Sequence, residues 1–164
     1  MTAKIWDAKT GQELFTLTGH DGSVNSAACS PDGQRIVTAS GDNTAKVWET
    51  QTGTELSTLI GHGSGILSAA YSANGQRIVT GSGDNTAKIW DAKTGQELFT
   101  LTGHDDVVRS VAYSADGRRI VTAGGDGTVQ IYTTDMGELL EIAKSRVTRQ
   151  LTSEGKERYG VPYW

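Results

Sequence analysis

Residues 2–21, TAKIWDAKTGQELFTLTGHD, recur without a change at 86–105, and half of that offset is the period that organises the chain. Gly-His pairs stand at Gly19-His20, Gly61-His62 and Gly103-His104, each 42 residues after the last. An aromatic residue marks the same step at Trp6, Trp48, Trp90 and Tyr132. GQRIVT occupies 33–38 and 75–80, and RRIVT follows at 118–122. A period in the forties means that each unit is one supersecondary element, stacked on copies of itself.

Within one period the strand signals are short and dense. The apolar run 24–30 ends in Ser-Pro-Asp-Gly, a strong turn signal. The β-branched run 35–40 follows, closed by Gly41-Asp42-Asn43. Residues 44–49 alternate polar and apolar around Val47 and Trp48, and Thr52-Gly53 turns the chain into the more polar run 55–60. Four short antiparallel strands per unit predict an all-β fold of propeller blades, since no room remains for the 10–15-residue segments of a helical repeat.

Composition narrows the function classes. The chain has 164 residues, and its 21 glycines suit many tight turns. A formal charge of -4 leaves no basic field for phosphates, which argues against nucleic acid. No apolar run approaches a membrane span, and Met1-Trp6 lacks the apolar stretch of a signal peptide. The one cysteine, Cys29, precludes an internal disulfide and points to a reducing compartment, so a cytoplasmic location is expected. Cys29 aligns with Tyr71 and Tyr113, which predicts a packed strand residue rather than a nucleophile. Neither a phosphate-loop ending nor a G-x-S-x-G elbow is present. No catalytic constellation emerges and no cofactor is implied, so the chain is not expected to be an enzyme.

The Gly-His pairs, with Trp48-Glu49, Trp90-Asp91 and Tyr132-Thr133 closing their units, resemble the WD-repeat β-propeller family. The likeness covers residues 2–133. It implies a hydrogen-bonded tetrad in every blade, carried by spacing onto His20, Thr38, Asp42 and Trp48, then His62, Thr80, Asp84 and Trp90. The third tetrad is His104, Thr122, Asp126 and Tyr132, where a phenol replaces the indole donor. These His and Asp residues are therefore expected to be structural. One histidine per blade does not converge on a metal with bonds of ~2.0–2.1 Å, so no metal site is expected.

In the family, partners often dock on the face whose loops carry the His and Asp residues. Here those loops differ while the framework repeats: Asp21, Ser23 and Asn25 in the first, Ser64 and Leu67 in the second, Asp105, Asp106 and Arg109 in the third. Differences confined to exposed loops on a constant scaffold mark a candidate binding face, with Leu67 and Arg109 as its anchors. The resemblance implies a protein–protein interaction scaffold. The alternative is a detached sensor or regulatory module of a larger bacterial signalling protein, because residues 138–159 resemble the end of the repeat regions in such proteins.

The repeat register divides residues 1–134 into a partial blade (1–19), two full blades (20–61 and 62–103) and a further blade of three strands (104–134). That total falls short of the ~4–8 blades that close a ring, so a homo-oligomer completing the ring is expected. Residues 135–164 read as a helical tail, with Asp135 as cap and Leu139, Ala143, Val147 and Leu151 at i, i+4 spacing. A fourth strand is the alternative, since Gly137-Glu138 aligns with Gly95-Gln96.

Overall fold

The computed structural model describes residues 1–134, and the expected helical tail lies outside the described residues. The described chain is built of antiparallel β-sheets. β1 (Thr2–Trp6) and β2 (Glu13–Thr18) form a hairpin. β3 (Val24–Cys29), β4 (Arg35–Ser40), β5 (Thr44–Glu49) and β6 (Glu55–Ile60) form a four-stranded meander. β7 (Ile66–Tyr71), β8 (Arg77–Ser82), β9 (Ala87–Asp91) and β10 (Glu97–Leu101) repeat it. β11 (Val108–Tyr113), β12 (Arg119–Gly124) and β13 (Val129–Thr133) make the last sheet.

Turn chemistry fixes these hairpins. Between β4 and β5, and between β8 and β9, Asn43 and Asn85 take positive φ of 69° and 67°, and Gly127 takes 75° at the same place before β13. Only Gly and Asn enter that region cheaply, which is why the repeat alternates between just those two residues. The register is the same in successive sheets: Thr38 faces Lys46, Thr80 faces Lys88, and Thr122 faces Gln130.

The cores lie between neighbouring sheets. Val37, Ala39, Ala45, Val47 and Leu59 of one sheet meet Ile66, Ala69, Tyr71 and Ile78 of the next. Val79, Ala87 and Ile89 in turn meet Val108, Val111 and Ile120. Complete burial of side chains such as Ile66 and Ile78 contributes about 2–3 kcal/mol each.

The same rule explains a correction. Cys29 does stand in a strand, but it is exposed rather than packed. Its counterpart Tyr71 is buried in a cluster that includes Val37 and Ala39 of β4, a strand with no counterpart beside β1. The sheet before β3 consists of β1 and β2 alone, so nothing equivalent covers Cys29.

Candidate functional site

Each Gly-His pair follows an outer strand and sets its imidazole beneath the β-hairpin that carries the Asp. In the first full blade His20 Nδ1 lies 2.8 Å from Asp42 Oδ2 and Nε2 lies 2.8 Å from Thr38 Oγ1, which also accepts Trp48 Nε1–H at 2.8 Å. In the second, His62, Asp84, Thr80 and Trp90 repeat the three distances. The network runs one way. The indole donates to the threonine oxygen, the threonine hydroxyl donates to Nε2, and Nδ1–H donates to the carboxylate; each tautomer is assigned from these partners. Thr38 and Thr80 are wholly buried, so the threonine hydroxyl of each of these two networks has both its partners where water does not reach.

The third network is shorter. His104 meets Asp126 at 2.9 Å and Thr122 at 2.7 Å. Tyr132 directs its hydroxyl to Gln130 Oε1 at 2.7 Å and to the Thr102 carbonyl at 3.2 Å. Burial raises the phenol's pKa, with the Thr122 hydroxyl drawing it back.

The aspartates are also held by contacts that the family likeness did not imply. Thr44 donates its hydroxyl to Asp42 at 2.6 Å and its N–H at 2.9 Å, and Asp21 N–H adds a third bond. Thr86 and Gly63 do the same for Asp84, and Thr128 and Asp105 for Asp126. The signal was present in the sequence as a recurring Asp-x-Thr at 42–44, 84–86 and 126–128.

Burial opposes the charge on Asp84, yet the hydroxyl of Thr86, the His62 ring and the Gly63 N–H outweigh it and bring the carboxyl down from 3.8 to about 2. Asp42 is lowered in the same way, burial being outweighed by Thr44 and His20. For Asp126 the Thr128 N–H leads the lowering. His62 is held below 6.5 because burial disfavours its cation more than Asp84 favours it. All these shifts are downward, so the folded state binds fewer protons than the unfolded one and stability rises with pH. The His62 contribution is present above pH 6.5 and fades as pH falls below it. That of Asp84 is complete above pH 3.8 and is lost down to about pH 2. A thermal melt followed by circular dichroism is therefore expected to show a small decline below pH 6.5 and a steeper one below pH 4. A melting temperature unchanged between pH 7 and pH 3 contradicts this assignment.

With both ring nitrogens of each histidine engaged, these groups are poorly placed to act as bases or ligands. Among the described residues no group of three His, Cys, Asp or Glu side chains stands close enough to hold a metal ion.

The candidate face has a construction that spacing did not reveal. Registers shift between Val24 and Ser26, between Ile66 and Ser68, and between Val108 and Ser110. The extra residues are Asn25, Leu67 and Arg109, so a position that differs in all three repeats is a β-bulge in each of the three larger sheets. A bulge throws its side chain out of the ladder and re-aims it. Asn25 donates to the Ile66 carbonyl at 2.9 Å and ties two sheets together, whereas Arg109 is exposed and Leu67 half-buried. Asp21, Ser23, Asp105 and Asp106 are exposed beside them. Ser64 is half-buried, its carbonyl accepting the Ser82 hydroxyl at 2.9 Å. Asp106 caps its own loop through the Val107 N–H at 2.7 Å.

Comparison with known proteins matches the family described as "WD domain, G-beta repeat" three times in succession, at residues 11–49, 53–91 and 95–133. Similar proteins include Lissencephaly-1 homolog 1 of Paramecium tetraurelia, 46% identical over 41 residues, which are 25% of this chain and 10% of that protein. Protein FIZZY-RELATED 1 of Arabidopsis thaliana is 52% identical over 40 residues, 24% of this chain and 8% of its own length. WD repeat-containing protein 37 of Homo sapiens is 49% identical over 43 residues, 26% of this chain and 9% of its own. Each likeness spans about one repeat, and the chain covers a tenth or less of these relatives.

Proposed function

The chain belongs to the WD-repeat family, and from that membership we propose that it is a non-catalytic scaffold that binds a protein partner on the face carrying the three bulges. One observation carries the reading: Asn25, Leu67 and Arg109 occupy the same bulge position with three different chemistries, beside loops that also differ, on strands whose register repeats. WD repeats in general mediate protein–protein interactions, and the His and Asp side chains that would be candidates for chemistry are here held in blade-internal networks. Leu67 supplies an apolar anchor and Arg109 a planar cation, flanked by the acidic Asp105 and Asp106. A partner of mixed character, apolar at one point and acidic at another, fits that pattern.

The net charge of -4 supports a protein partner over nucleic acid or a membrane surface, and the lone thiol supports a cytoplasmic setting. Apolar side chains exposed on the first and last described sheets, Trp6, Val129 and Ile131 among them, support a homo-oligomer. The tail that suggested a signalling module lies outside the described residues, and no other observation favours that alternative.

The test uses the immobilised chain and partners recovered by cross-linking. Leu67→Ala with Arg109→Glu is expected to reduce recovery at least about tenfold, the equivalent of ~1.4 kcal/mol. Asn74→Lys, in a turn outside the candidate face, is expected to leave it unchanged. Equal recovery by all three proteins removes this face from consideration.

A further inference from the structure

Two junctions between neighbouring sheets, β3 against β7 and β7 against β11, repeat one contact and differ in another. Ser26 Oγ accepts the Ala69 N–H at 3.4 Å in the first, and Ser68 Oγ accepts the Val111 N–H at 3.2 Å in the second. The residue before each serine is the bulge residue. In the first junction it is Asn25, whose Nδ2 donates to the Ile66 carbonyl at 2.9 Å. In the second it is Leu67, whose side chain has no donor to offer the matching Val108 carbonyl. The second junction has a tie of its own, from Asn85 Nδ2 to the Asp105 carbonyl at 3.3 Å, but that falls in the loop before β11.

The place of the Ile66 carbonyl gives this bond its importance. Ile66 stands directly before the bulge at Leu67, with its side chain fully buried. A bulge leaves one residue outside the ladder, so its backbone is fixed by fewer bonds than the strand on either side. Asn25 supplies one such bond from the neighbouring sheet. It does so because it is itself the extra residue of a bulge, which re-aims its amide across the junction.

We propose that Asn25 is a positioning residue of the candidate face: its bond to the Ile66 carbonyl holds the bulge that presents Leu67. This rests on the reading of that face as the partner's docking site. It gives Asn25 a role exercised through Leu67 rather than through contact with the partner.

The bond is a neutral amide–carbonyl contact, and its loss does not separate the two sheets. Those are held by Ile66, Ala69 and Ile78 against Val37, Ala39 and Val47. What the bond changes is local. Without it the bulge opens more readily, and a partner has to fix Leu67 in one orientation on binding, at a cost in affinity that a bulge already held avoids. The repeat provides its own comparison, because Leu67 holds at the second junction the place that Asn25 holds at the first. Exchanging these residues therefore moves the tie from one bulge to the next without bringing in a side chain foreign to the position.

Amide hydrogen exchange on the full chain tests the tie, and partner recovery tests the role. In the unaltered chain, protection at residues 66–68 is expected to exceed that at 108–110 about tenfold. Asn25→Leu is expected to remove the difference while β4 and β8 keep their protection. Leu67→Asn is expected to raise protection at 108–110, since it offers the Val108 carbonyl the missing donor. With partners recovered by cross-linking as above, Asn25→Leu is expected to lower recovery about fivefold, and to add nothing in a Leu67→Ala background. Equal protection of the two bulges, or protection at 66–68 that survives Asn25→Leu, overturns the tie. A loss of protection that spreads through β8 overturns its local character. An equal drop in recovery with and without Leu67 makes Asn25 a contact in its own right and overturns the positioning role. Recovery that ignores Leu67→Ala overturns the docking face and the positioning role with it, whereas the exchange results still decide the tie.

Discussion

Replacing Thr80 with Val is expected to lower the unfolding free energy by about 3 kcal/mol, and the same change at Thr122 by about half as much. The two threonines are equally inaccessible, at 0% and 1% exposed, and valine fills nearly the same volume. The difference lies in what each hydroxyl serves. Thr80 Oγ1 accepts the Trp90 indole N–H and donates to His62 Nε2, both at 2.8 Å. Its removal leaves a buried donor and a buried acceptor unpaired, each costing about 1–3 kcal/mol. Thr122 serves His104 at 2.7 Å, while the Tyr132 hydroxyl keeps Gln130 and the Thr102 carbonyl. Urea titration with an unchanged slope reads the two losses directly. Equal losses at the two positions mean that the phenol depends on its threonine as fully as the indole does, and the account of the third blade then fails.

That contrast also marks what the sequence carried. Strand positions were legible because the repeat is read several times over, and turn residues such as Asp42-Asn43 punctuate each reading. The histidine networks were legible because they need fixed side chains at fixed spacing in paired strands. Other features depend on the neighbouring sheet rather than on the residue's own strand. Cys29 reads as a core position in every copy of the pattern, and only the missing inner strands beside β1 expose it. The bulges at Asn25, Leu67 and Arg109 were hidden because period-2 alternation does not register one extra residue in a six-residue strand. Tyr132 posed the same difficulty, since a phenol's reach is decided by where Gln130 and Thr102 lie.

Sheet-to-sheet packing supplies the second large effect, at a position where the repeat departs from itself. Ala39 and Gly81 occupy the same place in β4 and β8, and Ala123 follows in β12. Ala39 is fully buried and fits, because the facing strand offers Ile66 and Ala69. At Gly81 the facing strand has Val108 and Val111, and an added Cβ comes within 2.8 Å of Val108 Cγ1, 2.9 Å of Val111 Cγ1 and 3.0 Å of the Val108 carbonyl. The glycine is therefore the partner of a larger Val111, and the pair has exchanged volume relative to Ala39 and Ala69. Gly81→Ala gains some strand propensity and loses more to overpacking, a net destabilisation of about 1–3 kcal/mol. Val111→Ala alone opens a cavity and destabilises by about 2 kcal/mol. Together the two changes restore the pairing that Ala39 and Ala69 already display one interface away. The double variant is thus expected to be more stable than the sum of the single losses by about 1–2 kcal/mol, a coupling that a double-mutant cycle in urea measures. Additive losses place the strain at Val108 instead, because neither its Cγ1 at 2.8 Å nor its carbonyl at 3.0 Å is removed when Val111 is trimmed.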